Sequence, residues 1–247
     1  MALADPTERI ADVRDDVDRI AQTFERARDR QTTVSGADRT RQVSVRVSPS
    51  GEVEDILLGN RWSQEVAPED LGAALVEAYT QATTASINQW GEAVADEAEA
   101  PAPQARPMTT RPTSMQLRDL VTPERLADQS ENALAAMAFL LEGVLHDYEQ
   151  VSSDVTALVA RRIEAHSQGA TVTLDGNGVL IGVAVDADWA EATAPGNLSR
   201  HVMTAYRQAR REARSRTVDD VIHDSRLGRL QRLAEEPEAL AAELGLL

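Results

Sequence analysis

The segment AYRQARREARSR, residues 205–216, carries five arginines in a chain whose formal net charge is −16. A planar guanidinium is the side chain best shaped for bidentate contact with phosphate or carboxylate. On a helix turning about 100° per residue, Arg200, Arg207, Arg211 and Arg214 fall within an arc of roughly 60°, with Arg210 on its flank. Leu198, Val202, Ala205, Ala209 and Ala213 take the opposite side, so such a helix buries one stripe and shows a row of cations to solvent. Arg26, Arg28, Arg30, Arg39 and Arg41 form a second, weaker cluster. Two chemistries fit these residues: contact with DNA or RNA phosphate, and charge pairing with an acidic protein surface, internal or of a partner. The second has a source at hand, because residues 1–100 hold 10 Arg against 20 Asp plus Glu.

Other chemistries find little support. The chain has no cysteine, which excludes disulfides, thiolate metal sites and cysteine nucleophiles. His146, His166, His201 and His223 show no metal-ligand spacing, and there is no Gly-x-Ser-x-Gly elbow or Walker lysine. Gly176, Gly178 and Gly182 imitate a dinucleotide fingerprint, but Ile181 stands where the third glycine belongs and the segment leads into a strand. Asp15/Asp16 and Asp219/Asp220 read as solvated helix faces. Aromatics make up 3% of the chain, too few for a base-stacking surface that holds single strands. The expectation is a binding protein, neither an enzyme nor the holder of a metal or cofactor.

All 25 basic residues are arginine and alanine is abundant, which looks like the codon bias of a high-G+C bacterial genome. There is no apolar run of 18 residues, and the opening MALADPTERIADVRDD lacks the basic and apolar regions of a signal peptide. A cytoplasmic protein without a membrane partner is expected.

The elements that carry the arginines occur twice. VSVRVSPSGEVEDILLGNRW (43–62) aligns without a gap on ATVTLDGNGVLIGVAVDADW (170–189), placing Gly178 127 positions after Gly51 and Trp189 the same distance after Trp62. The register continues through Pro68/Pro195, Leu71/Leu198 and AYTQA/AYRQA. The positions matching Arg200, Arg207, Arg211 and Arg214 are Ala73, Thr80, Thr84 and Ile87, so the fold itself does not demand the basic row.

Within each copy, alternating Val43/Val45/Val47 or Val172/Leu174 predicts a half-buried strand. SPSG or DGNG supplies a turn, and Ile56/Leu58 or Val183/Val185 mark the returning strand. QTTVSGADR and IEAHSQG supply an additional edge strand. Upstream, Ile10, Val13, Val17, Ile20, Phe24 and Ala27 step by three and four, as do Met137, Leu141, Val144, Tyr148, Val151, Val155 and Leu158, which predicts amphipathic helices. Downstream, APED and APGN open a second helix with Asp70 or Asn197 as its cap. Trp62 and Trp189 read as caps on a small core.

Helix, polar VSGADR-like segment, Val-rich strand, glycine turn, second strand and Ala-rich helix together resemble the YbaB/EbfC family of nucleoid-associated proteins. The resemblance covers roughly residues 8–95 and 135–216. It implies small dimeric units with a paired central sheet and protruding helices, and DNA binding. The fold class expected is therefore α+β, as two tandem helix–antiparallel sheet–helix units free to pair as a pseudo-dimer. The divisions are a first repeat (1–99), a Pro/Ala-rich linker with a short helix (100–131), a second repeat (132–222) and a helical tail (223–247) that docks on the second copy or on a partner. The function expected is weakly specific or non-specific DNA association in the nucleoid. The alternative is a cytosolic protein-interaction scaffold or secretion-system accessory. Intramolecular pairing of the repeats and homodimerisation are both open.

Overall fold

A computed structural model describes residues 6–107 and 113–247. Among the described residues the fold is α+β, 64% helical with two three-stranded antiparallel sheets. The chain forms two compact units that cut across sequence order, Met1–Pro107 with Arg162–Ala213, and Met108–Arg161 with Arg214–Leu247.

The first unit opens with α1 (Pro6–Asp29), followed by β1 (Val34–Ala37), β2 (Val43–Val47) and β3 (Val53–Leu58). A short α2 (Trp62–Glu65) and a 3-10 turn (Pro68–Asp70) lead into α3 (Leu71–Glu99). Its later part holds β4 (Arg162–Ser167), β5 (Ala170–Asp175), β6 (Leu180–Val185), α6 (Ala187–Ala192) and α7 (Pro195–Ala213). The strand orders are β1-β2-β3 and β4-β5-β6. The edge strands expected before each Val-rich strand are thus present.

Period-two burial makes β2 and β5 the centres of their sheets. Val43, Val45 and Val47 are buried while Arg46 faces out, and Ala170, Val172 and Leu174 are fully covered. The hairpins that follow share one design. Gly51 N–H donates to Ser48 O and Gly178 N–H to Asp175 O, both at 2.9 Å. Both glycines are left-handed, at φ +77° and +79°, a conformation that other residues adopt only with strain. The ladders slip at Arg46/Val47 and at Thr173/Leu174, again 127 apart.

That spacing breaks in the edge strands. Ala37 lies opposite Ser44 but His166 lies opposite Thr171, so the offset there is 129. The cause is the turn. Asp38 closes the longer first loop, accepting from the Val43 N–H at 2.8 Å and from the Thr40 N–H at 3.0 Å, whereas Gln168 at φ +51° and Gly169 suffice in the second.

The two sheets and their helices share one hydrophobic core. α3 packs on β1 and β2 and also on β6, while α7 packs on β4 and β5 and also on β3. Gly72 permits this approach, because a Cβ there would stand 2.0 Å from the Val183 carbonyl oxygen. α1 packs on α3 and leaves Val13, Val17, Ile20 and Phe24 largely exposed. Residues 100–107 are hydrogen-bonded to α1, with Gln22 Nε2 donating to Gln104 O at 2.9 Å and Arg106 N–H to Asp18 at 2.6 Å. Residues 108–112 of the expected linker lie outside the described residues.

The second unit contains α4 (Thr113–Leu120), α5 (Pro123–Ala160), α8 (Val218–Asp224), α9 (Arg226–Glu235) and α10 (Pro237–Glu243). α5 begins within the segment read as linker, where Thr122 caps it by accepting from the Arg125 N–H at 3.3 Å and Pro123 takes a position that needs no donor. The leucines of the tail have a clear role. Leu240, Leu244 and Leu246 form a small core with Val121, and the early half of α5 packs on it through Ala136, Met137 and Leu140.

Candidate nucleic-acid interface

The basic row rests on α7, and the buried side of that helix matches its periodicity: Leu198, Val202, Ala205, Ala209 and Ala213 are all covered. Neither expected cap forms. Asn197 lies inside α7, where its Oδ1 accepts from Arg200, because Pro195 already opens the helix. Asp70 makes no side-chain cap, since the 3-10 turn before α3 satisfies that end through the backbone.

Arg200, Arg207 and Arg211 are exposed on one face of α7. Arg207 and Arg211, one turn apart, make no ion pair among the described residues. Arg210 behaves differently. Its Nη2 pairs with Glu52 Oε1 at 3.0 Å, Nη1 donates to Asn177 O at 2.8 Å, and Nε is buried without a partner. It crosses directly over Gly178, where a Cβ would stand 1.7 Å from Nη1. Arg210 therefore braces the two hairpin turns. Arg214 follows the last residue of α7 and belongs to the second unit.

The weaker cluster is divided. Arg26 and Arg30 converge on Glu97, a nearly buried carboxylate near the end of α3, with Arg26 at 4.0 Å. Arg28 is exposed at the end of α1, and Arg39 and Arg41 are exposed on the β1–β2 loop. Glu52, Asn177 and Glu97 were not foreseeable as partners. The one signal for Arg210 was its place on the flank of the row, toward the buried stripe.

Other sequence features resolve into packing. Trp62 is 3% exposed in the core, and Trp189 packs edge-on against His201 with ring centres 5.7 Å apart. Among the described residues no group of three His, Asp or Glu side chains is placed to hold a metal ion, and no helix is long and apolar enough to cross a membrane.

Against known proteins, the chain matches no family model, no curated protein and no solved structure.

Proposed function

We propose that the protein binds duplex DNA weakly and with little sequence preference, through phosphate contacts made by Arg200, Arg207 and Arg211. In this reading it is a tandem, YbaB/EbfC-like protein of the bacterial nucleoid whose two repeats pair within one chain. The observation that carries the proposal is the state of Arg207 and Arg211: both are exposed on a helix whose opposite face is buried, and neither is consumed by an internal ion pair. Arg210 and Arg26 contribute to the fold instead and drop out of the contact set.

Magnitude constrains the reading. About three phosphate contacts give a salt slope near −2.7, so affinity falls about twenty-fold when salt is tripled. Against a net charge of −16, this local field, with the lesser one of the exposed Arg28, Arg39 and Arg41, is what attracts a polyanion. The test is fluorescence anisotropy of a labelled duplex with the parent and with Arg207→Glu/Arg211→Glu, at low and physiological salt. Binding that weakens alike for all sequences in the variant, with a shallower salt slope, supports the proposal. A parent that binds no duplex at low salt removes it.

A protein-interaction scaffold is the second reading, and a separate observation favours it. Val13, Val17, Ile20 and Phe24 form an exposed apolar stripe on α1, and Phe24 stacks on Trp90 of α3 with ring centres 6.1 Å apart. Exposed apolar patches this extended commonly mark protein contacts. Binding to such a stripe is insensitive to salt, which separates it from phosphate contact.

A further inference from the structure

A cavity of about 570 Å³ lies in the first unit between α3 and the two hairpin turns. Its origin is a difference between positions 127 apart. Where α7 meets the first hairpin, Arg210 reaches across to Glu52 and fills the junction. Where α3 meets the second hairpin, the matching residues are Thr83 and Val179. Both are short, and the Thr83 hydroxyl turns back to donate to its own helix at Tyr79 O, 3.1 Å away. Thr83 and Val179 both border the cavity, so the volume closed by an ion pair at one junction is open at the other.

The walls define what could enter. Ile87, Trp90 and Val179 offer apolar surface. One face of the Trp90 ring is taken by Phe24, at 13° between planes, which leaves the rest of the ring to a visitor. In front of Gly51 there is open space, with no atom within 4 Å of where a Cβ would stand. Neutral polar residues line it as well, among them Gln31, Ser50, Asn177, Tyr79 and the buried Ser86, and the cation in the lining, Arg210, has its charge balanced by Glu52. A fully charged ligand has no uncompensated counter-ion here.

We propose that this cavity binds a planar, mostly apolar small molecule of about 10 to 20 non-hydrogen atoms carrying a neutral hydrogen-bond acceptor. The volume lies within the usual range for small-ligand sites, and the apolar walls alternate with neutral hydrogen-bonding groups that can orient a ligand. The site is independent of the arginine row on α7.

The test uses the full chain and 2-acetylnaphthalene, a flat neutral carbonyl compound, within a panel of neutral one- and two-ring ketones. Binding is read by calorimetry and by saturation-transfer NMR. Thr83→Arg/Val179→Glu installs the pair that closes the other junction, and Ile87→Arg, at an exposed position, blocks the mouth without touching the core. Saturable one-to-one binding to the parent, weakened at least ten-fold in either folded variant, is the expected result. Two outcomes overturn the proposal. Absence of saturable binding across the panel leaves the face to a partner protein's side chains, and binding unchanged in both variants places the compound on the exposed α1 stripe.

Discussion

The Tyr206 hydroxyl accepts a hydrogen bond from the backbone N–H of Val53 at 3.0 Å, although the two residues lie 153 positions apart. The matching Tyr79 hydroxyl stands beside the Leu180 N–H, and it donates to the Gly51 carbonyl oxygen at 3.5 Å. Each N–H opens a returning strand just past the ladder slip, where regular pairing is interrupted. Helix α7 therefore completes the hairpin between β2 and β3, linking the two sheets through a polar bond as well as through the shared core.

Tyr206→Phe keeps the ring and strands a buried donor, which costs about 1–3 kcal/mol. Urea denaturation of the variant is expected to show an unchanged slope and a lower midpoint. Tyr79→Phe removes only the longer contact to the Gly51 carbonyl and is expected to cost less. A loss below about 0.5 kcal/mol for Tyr206→Phe means that water satisfies the Val53 N–H and that the crossed contact contributes little.

Arg210 and its neighbours on α7 should separate cleanly. Arg210→Ala removes the brace between turns and takes the donor from the Asn177 carbonyl, so stability falls by about 1–3 kcal/mol. Arg207→Ala and Arg211→Ala alter exposed side chains and should stay within about 0.5 kcal/mol of the parent. DNA affinity should show the reverse order. Thermal melts and anisotropy on the same samples decide the matter, and equal effects on stability from Arg207 and Arg210 would contradict this division.

The sequence revealed what is local. Alternating valines located β2 and β5, the glycine turns located both hairpins, and three-four spacing located α1 and α5, because each signal is written within a few residues. It did not reveal that α3 and α7 cross between sheets. Helix α7 carries one apolar stripe, Leu198 to Ala213, and the stripe reads the same against its own sheet or against β3. Arg210 sits beside the exposed row in the sequence and gives no local sign of its brace, its partner Glu52 standing 158 residues away. Asn197 shows the limit of a local rule: a good capping residue was overridden by a proline two positions earlier.

The paired glycines give a comparison within one molecule. Gly51→Ala meets no neighbouring atom, so its cost is the left-handed backbone alone, about 1–2 kcal/mol. Gly178→Ala adds a collision with Arg210, which must leave Glu52 or displace the turn. A larger loss at 178 than at 51 is expected, shrinking when Arg210→Ala is added. Equal losses at the two sites would mean that Arg210 yields without cost.

Asp38 should make stability depend on pH in the acid range. Burial pushes its carboxyl up, but hydrogen bonds from the Thr40 hydroxyl and from the N–H groups of Val43, Thr40 and Gln42 outweigh that and hold it below the ordinary value of 3.8. A carboxyl with a lowered folded pKa contributes stability that is fully present above its unfolded value, near 4, and is lost as pH falls through the folded value. Asp38→Ala leaves the buried Val43 N–H and the Thr40 N–H without their acceptor, a cost of about 2–4 kcal/mol at neutral pH. The gap between parent and variant should be flat from pH 8 to about 5 and should narrow below about 4, as the parent's carboxyl takes up its proton. Asp18 and Asp220, also held low by hydrogen bonds, titrate in both proteins and cancel from the difference. Chemical denaturation at stepped pH measures that gap directly, and a gap that widens on acidification would show that the neutral form of Asp38 is the one the loop prefers.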